Sequence, residues 1–444
     1  MRKLSTGRLD VPPVEPVKPP LETPRGVLEI AGAFSRLGCV SFGGPVAHLG
    51  YLHAEFVEKR KWLDDAHYSD LVALCQFLPG PASSQVVFAL GMHRAGLVGA
   101  AVASACFTLP SALLMIAFAY GLARVGDLAR AGWLHGLKLA AVAVVAQAVW
   151  IMGKKLCTDR TRTVLCLASA AVLVAVPGTL TQMGVIAFGG LVGMWRDRTA
   201  ARAAALAATH ASPAAFALRT GQSRGTIAAT AALAVFVALL AVLPVLASTT
   251  GIMRIAVFDS FYRSGSLVFG GGHVVLPLLR AEVVPRGWLS DDQFLAGYAA
   301  AQALPGPMFA FAAYLGTAMD FGSHLGSTVG RALGSALVRP QWLNGVWCLL
   351  AIFLPAWLLI GGVLPFWHRL RAKRWAQAAL AGANASVVGI LLAALYSPLI
   401  TESVRGSDDV AAALIAFSLL QYAKAPPWLV VILMAAAGQW ALAV

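Results

Sequence analysis

Apolar runs of membrane-crossing length follow one another along almost the whole chain, separated by short charged, proline-rich or glycine-rich boundaries. They begin near Val27, Tyr68, Ala95, Ala131, Thr163, Thr181, Thr226, Ile255, Asp292, Leu343, Trp375, Asp408 and Pro427. A run of about 20 apolar residues crosses a bilayer as a helix, so the pattern predicts an all-α integral membrane protein with about 13 transmembrane helices. The runs near 163–178 and 408–423 are short and would tilt or cross only in part. Residues 1–25 differ. They are polar, carry Pro12, Pro13, Pro16, Pro19, Pro20 and Pro24, and lack the apolar stretch of a signal peptide, which predicts a disordered cytoplasmic tail.

Two phrases interrupt these runs, and both occur twice. Phe42-Gly43-Gly44 is followed by Leu78-Pro79-Gly80-Pro81, and Phe269-Gly270-Gly271 by Leu304-Pro305-Gly306-Pro307. The surroundings align as well: Phe34 with Phe261, Arg36 with Arg263, Gly38 with Gly265, Glu55 with Glu282, Trp62 with Trp288, Gln76 with Gln302 and Gly136 with Gly382. The chain is therefore read as a tail (1–25), a first repeat (26–195), a basic linker with a connecting helix (196–252) and a second repeat (253–444). One extra span between the copies sends the second into the bilayer from the opposite side, giving inverted-topology repeats. Between Gly316 and Phe353 the second copy is longer by about 20 residues, with Arg331 and a four-residue glycine period; whether 317–342 cross the membrane stays open.

Composition removes whole classes of function. With 59% hydrophobic and 12% charged residues the chain is no water-soluble globule. The formal charge of +14 is no nucleic-acid patch either, because Lys and Arg gather at the ends of apolar runs. Lys154, Lys155, Arg160 and Arg162, then Arg196, Arg198 and Arg202, then Arg369, Arg371, Lys373 and Arg374 fall on one side, which the positive-inside rule makes cytoplasmic, with the N-terminus inside. The six cysteines show no metal or redox spacing, and no HExxH, aspartate-rich or nucleophile-elbow motif is legible. Neither an enzyme nor a cofactor is expected.

The candidate site residues gather at the interruptions. Gly and Pro free backbone groups at membrane depth, which is tolerated where protein or a water-filled cavity satisfies them. The breaks Phe42, Gly43, Gly44, Pro45, Gly270, Gly271, Gly272 and Pro79, Gly80, Pro81, Pro305, Gly306, Pro307 are thus expected to line a cavity, although kinks for packing alone are also common. Pro45, Pro81 and Pro307 suit the first turn of a restarted half-helix, whose N–H groups attract an anion. Ser83, Ser84 and Gln85 add donors after the first LPGP phrase, and Gln76 and Gln302 precede the two phrases. Arg36, Lys138 and Arg263 are the cations left inside predicted spans. Each arginine lies seven residues before a break glycine, on the same helical face, so both are expected to point at the breaks; the alternative is snorkelling to the interface. Lys138 has Asn384 as its repeat mate, and His48 and His273 flank the breaks. Glu55, Glu282, Arg60 and Arg286 read as loop salt bridges beside interfacial Trp62 and Trp288.

FGGPVAHLG (42–50) and LPGPxxxQ, with FGGGHVVLPLL (269–279) and LPGPMFAFAAYLG (304–316) in the second copy, resemble the chromate ion transporter family in its long two-domain form, from about Arg25 onward. The resemblance implies export of chromate across the bacterial inner membrane, chromate resistance, and no cofactor. It leaves sulfate, a dianion of like shape, as an alternative substrate, an anion channel as an alternative mode, and a homodimer compatible with the chain. The partners it implies are chromate and the lipid bilayer, with no nucleic acid. It also makes Phe42 to Pro45, Phe269 to Gly272, Pro79 to Pro81 and Pro305 to Pro307 the signature positions.

Overall fold

The computed structural model describes residues 24–124, 132–200, 222–269, 272–321, 340–367, 370 and 373–440. The predicted tail up to residue 23, Gly270, Gly271, Arg202, Arg331, Arg369, Arg371 and most of the long insertion (322–339) lie outside the described residues. Every regular element among those described is helical. In the first half these are α1 (Pro24–Val40), α2 (Gly44–His53) with a π turn to Lys59, α3 (Asp65–Phe77), α4 (Ala82–Leu122), α5 (Gly132–Leu156), α6 (Arg160–Ala175) and α7 (Thr179–Ala200). The connecting helix α8 (Gln222–Thr250) follows. The second half holds α9 (Met253–Ser266), α10 (Val275–Val283), α11 (Asp291–Ala303), α12 (Phe311–Ala318), α13 (Gln341–Val363), α14 (Arg374–Ala394), α15 (Ser407–Gln421) and α16 (Pro427–Trp440).

Among the described residues, five helical stretches are long and apolar enough to cross a membrane: 82–122, 132–156, 226–250, 341–366 and 374–403. The helix starts follow the apolar runs closely. The run beginning near Ala95 starts at a kink: α4 is two helical stretches joined where Ala95 and Gly96 leave helical geometry, with Gly91 and Gly99 packed against each other across the bend. Its counterpart in the second half is divided into α12 and α13 by the insertion.

Local chemistry starts the short helices. The Asp64 carboxylate accepts from the His67 amide at the start of α3, and Ser290, the repeat mate of Asp64, forms a capping box with Gln293 at the start of α11. Pro81 and Pro307 sit in extended geometry one residue before their helices, not within the first turn, while Pro45 lies inside the first turn of α2.

Each half wraps its last helices around the other. In the first half α7 and α6 pack on α14, and their mates α16 and α15 pack on α5. Glycine allows the contact. A Cβ on Gly136 would lie 1.9 Å from the Met434 carbonyl oxygen, and one on its mate Gly382 would lie 2.0 Å from that of Gly189. Gly38 against Phe107 and Gly265 against Ile352 repeat the device at α1·α4 and α9·α13. Alanine at Gly136 or Gly382 is therefore expected to cost at least the upper end of the overpacking range, about 3 kcal/mol. A thermal melt in detergent checks this: an unchanged midpoint for either variant contradicts the close crossing.

Candidate site at the crossed helix breaks

The chain leaves helical geometry where glycine alone fits easily. Gly43 and Gly44 have φ of 97° and 76°, Gly80 117° and Gly306 93°, in the left-handed region that costs L-residues about 1–2 kcal/mol. These breaks do not stand apart. The Gly80 N–H donates to the Val268 carbonyl at 2.6 Å, and the Gly306 N–H donates to the Ser41 carbonyl at 2.8 Å. Ser41 and Val268 are repeat mates, as are Gly80 and Gly306. Each proline loop thus grips the segment before the other copy's glycine pair. Buried His48 adds a second donor to the Ser41 carbonyl, Nε2 at 3.0 Å, and Gln85 Nε2 braces the first loop by donating to the Pro79 carbonyl at 2.8 Å.

A cavity of about 220 Å³ opens at this crossing. Gly43, Gly44 and Pro45 form one wall, Gly272 and His273 a second, and Gln302, Gly306 and Met308 a third. Apolar residues of α5, with Gln147 among them, close it. Three helical segments start at these walls: α2 at Gly44, the 3₁₀ turn into α10 at Gly272, and the 3₁₀ turn into α12 at Met308. Helix starts carry unpaired N–H groups and the positive end of the peptide dipoles. No cationic side chain is among the described lining residues. The volume is below that of sites for drug-sized ligands, about 300–1,000 Å³, and suits a small ion with a few waters at about 30 Å³ each.

Of the residues singled out from sequence, Gly43, Gly44, Pro45, Gly272, Gln302 and Gly306 meet at the cavity. Phe42, Pro79, Gly80, Pro81, Pro305 and Pro307 belong to the crossing but not to the lining. Ser83, Ser84 and Gln85 are buried behind it, with Ser83 Oγ 3.4 Å from His48 Nδ1, and Gln76 is exposed. Lys138 is buried away from the cavity in an ion pair with Asp292 of α11. Gln147 was missed by sequence reasoning; the signal was a lone amide in the apolar run of α5, and its Nε2 donates to the Leu420 carbonyl at 2.9 Å.

The two arginines expected to face the breaks are held elsewhere. Arg263 spends its guanidinium on acids: Nε and Nη2 donate to Asp259 at 2.8–3.1 Å, and Nη1 and Nη2 to Glu282 at 3.0 and 3.1 Å. Arg36 lies 3.7 Å from Glu55, the mate of Glu282, with 63% of its side chain exposed. Arg60 and Arg286 pair with the same two glutamates at 2.6 and 2.9 Å. Trp62 is no interfacial anchor. It is 1% exposed, packed on Phe34 and Phe56 beneath Arg94. Arg263→Gln would take the cation from buried Asp259 and one of two from buried Glu282, a change of about 3–5 kcal/mol, whereas Arg36→Gln removes a long contact of a largely exposed guanidinium from a Glu55 that keeps Arg60, about 0–1 kcal/mol. Melting midpoints of the two variants are expected to differ accordingly; equal shifts would contradict this ranking.

A chain whose described regular elements are all helical, with long apolar helices and paired helix breaks meeting at a small cavity, has the form of a multi-pass membrane transporter. The chain belongs to the chromate transporter family, whose profile matches residues 28–194 and 255–439. It is 29% identical over 383 residues to the chromate transport protein of Pseudomonas aeruginosa, covering 85% of this chain and 81% of that one. To the chromate transport protein of Cupriavidus metallidurans it is 31% identical over 289 residues, 64% of this chain and 65% of that one. An uncharacterized transporter of Methanocaldococcus jannaschii is 25% identical over 377 residues, 82% and 83% of the two chains. No solved structure matches the chain.

Proposed function

We propose that the protein is a secondary transporter that carries chromate out of the cytoplasm across the bacterial inner membrane and thereby confers chromate resistance. Two inverted repeats with the N-terminus inside form its frame. The observation that carries the reading is the convergence of three helix starts on one cavity without a lining cation. A dianion leaving water needs fixed donors in return, and backbone N–H groups at helix starts supply them with the favourable end of the dipole. Neutral donors also bind without the depth of a buried guanidinium pair, which favours release on the far side. Gly43, Gly44, Pro45, Gly272, Gln302 and Gly306 are the proposed contact positions, with Gln147 and His273 beside them. The remaining break residues, together with Ser83, Ser84 and Gln85, fix the backbone that presents those amides. Arg36, Arg263 and Lys138 act at a distance, holding helices through their acidic partners.

Uptake into energised everted membrane vesicles tests the proposal. Saturable chromate accumulation that collapses with the proton gradient and membrane potential is expected, with excess sulfate added to measure selectivity. Linear flux without saturation would indicate a channel, and uptake no greater than in vesicles lacking the protein would refute transport.

A further inference from the structure

A second cavity of about 240 Å³ opens between α6, α7 and α14, away from the crossed breaks. Its polar wall is made by two arginines joined through one acid. Arg196 Nη1 donates to Asp159 Oδ1 at 2.6 Å, and Arg162 Nε lies 3.2 Å from Asp159 Oδ2. Asp159 is also the N-cap of α6, accepting from the amides of Thr161 and Arg162 at 3.0 and 3.1 Å. Burial works against its charge, but Arg196 and the Arg162 amide outweigh that and hold its carboxyl below the usual carboxylate range. One fixed anion thus aligns two cations whose side chains remain 36% and 50% exposed. The floor is made of small residues, Gly193 and Gly382 among them, where α7 crosses α14.

The flank of the cavity is apolar and uncovered. Val192 lines it one turn before Arg196, and Phe188, a further turn back on the same ridge, is 60% exposed. Leu191 and Trp195 beside that ridge are 63% and 69% exposed, and Val164 on α6 is 57% exposed. Arg160 lies close by in sequence at the start of α6, while Lys154 and Lys155 at the end of α5 are not among the lining residues. A net positive, arginine-lined hollow that continues into an apolar ridge matches a molecule with an anionic head and a hydrocarbon tail. We propose that this cavity seats the phosphate of an anionic phospholipid between Arg162 and Arg196, with an acyl chain lying along Phe188 and Leu191. Interhelical basic hollows of this kind hold anionic headgroups, with each Lys or Arg near the surface contributing about 1 kcal/mol. The site is independent of the transported ion, and its occupant would tie α6 and α7 of the first half to α14 of the second.

The test uses the full chain purified in neutral detergent, with native mass spectrometry and thermal melting. Wild type is expected to retain phosphatidylglycerol and to melt higher with it than with phosphatidylcholine or with inorganic phosphate alone. Arg162→Gln with Arg196→Gln should weaken phosphatidylglycerol retention about tenfold or more, whereas Lys154→Gln with Lys155→Gln, an equal change of charge, should not. Should the double variant fail to fold, Arg196→Lys keeps the charge without the planar fork and should still lose several-fold. Equal retention by the arginine variants, or equal loss in the lysine control, overturns the site. Stabilisation by inorganic phosphate as strong as by the lipid overturns the lipid as occupant and leaves a free oxyanion site instead.

Discussion

Alanine at Gly306 is expected to reduce chromate flux by about 100-fold or more while the protein still reaches the membrane. Two effects act together. The backbone at this position has φ of 93°, which an L-residue adopts only with strain. An added Cβ would also lie 2.8 Å from Ser111 Oγ and 3.2 Å from Ser111 Cβ, so the loop must shift. That shift moves the amide that donates to Ser41 and, with it, the helix start at Met308 on the cavity wall. Displacements of about 1 Å at a positioned site cost rates of this order. The mate Gly80 makes the same prediction, since its Cβ would meet Gln85 Nε2 at 2.9 Å and Ala356 Cβ at 3.1 Å under a φ of 117°. Gly32→Ala is the control, because Gly32 sits inside α1 with nothing within 4 Å of its would-be Cβ. Initial rates in everted vesicles decide the matter. Near wild-type flux in both Gly80→Ala and Gly306→Ala would mean that the crossing is not part of the pathway.

A carboxylate placed in the cavity should be the most damaging of the polar changes. Gln302→Glu keeps the size and shape of the side chain and adds a negative charge beside the proposed position of a dianion. At 4 Å, a charge pair at an effective dielectric of 20 interacts by about 4 kcal/mol, and the dianion doubles this. Binding should fall by at least 100-fold, seen as a rise in the KM for chromate beyond the measurable range. Gln302→Leu removes the donor without the repulsion and should raise KM about tenfold. The repeat mate offers an internal comparison. Gln76 is exposed and outside the cavity lining, so Gln76→Glu should leave KM within about twofold of wild type. If the two glutamate variants behaved alike, the amide of Gln302 would have no special place.

The helix breaks were legible in the sequence because glycine and proline act locally. Gly43-Gly44, Gly80 and Gly306 adopt positive φ wherever the surrounding fold places them, and the repeated wording of the two halves identifies their mates. The reciprocal hydrogen bonds were not legible. They join Gly80 to Val268 and Gly306 to Ser41, residues far apart in the chain that only tertiary packing brings together. The arginines show a different limit. A seven-residue spacing predicts that Arg263 faces the break, but a guanidinium on a flexible stem goes to the strongest acceptor within reach. Asp259, one turn earlier on α9, and Glu282 on α10 are those acceptors. Gln147 shows the opposite case: an uncharged amide in an apolar run gives a weak signal, yet it lies on the cavity wall.

The central claim, that a small oxyanion rests where three helix starts meet at the crossed breaks, has a direct test in chromium anomalous scattering from crystals soaked in chromate. The account predicts a peak inside the cavity bounded by Gly44, Gly272, Gln302 and Gly306, absent from Gln302→Glu crystals. A peak at the Arg263–Glu282 cluster instead, with the cavity empty, would contradict it.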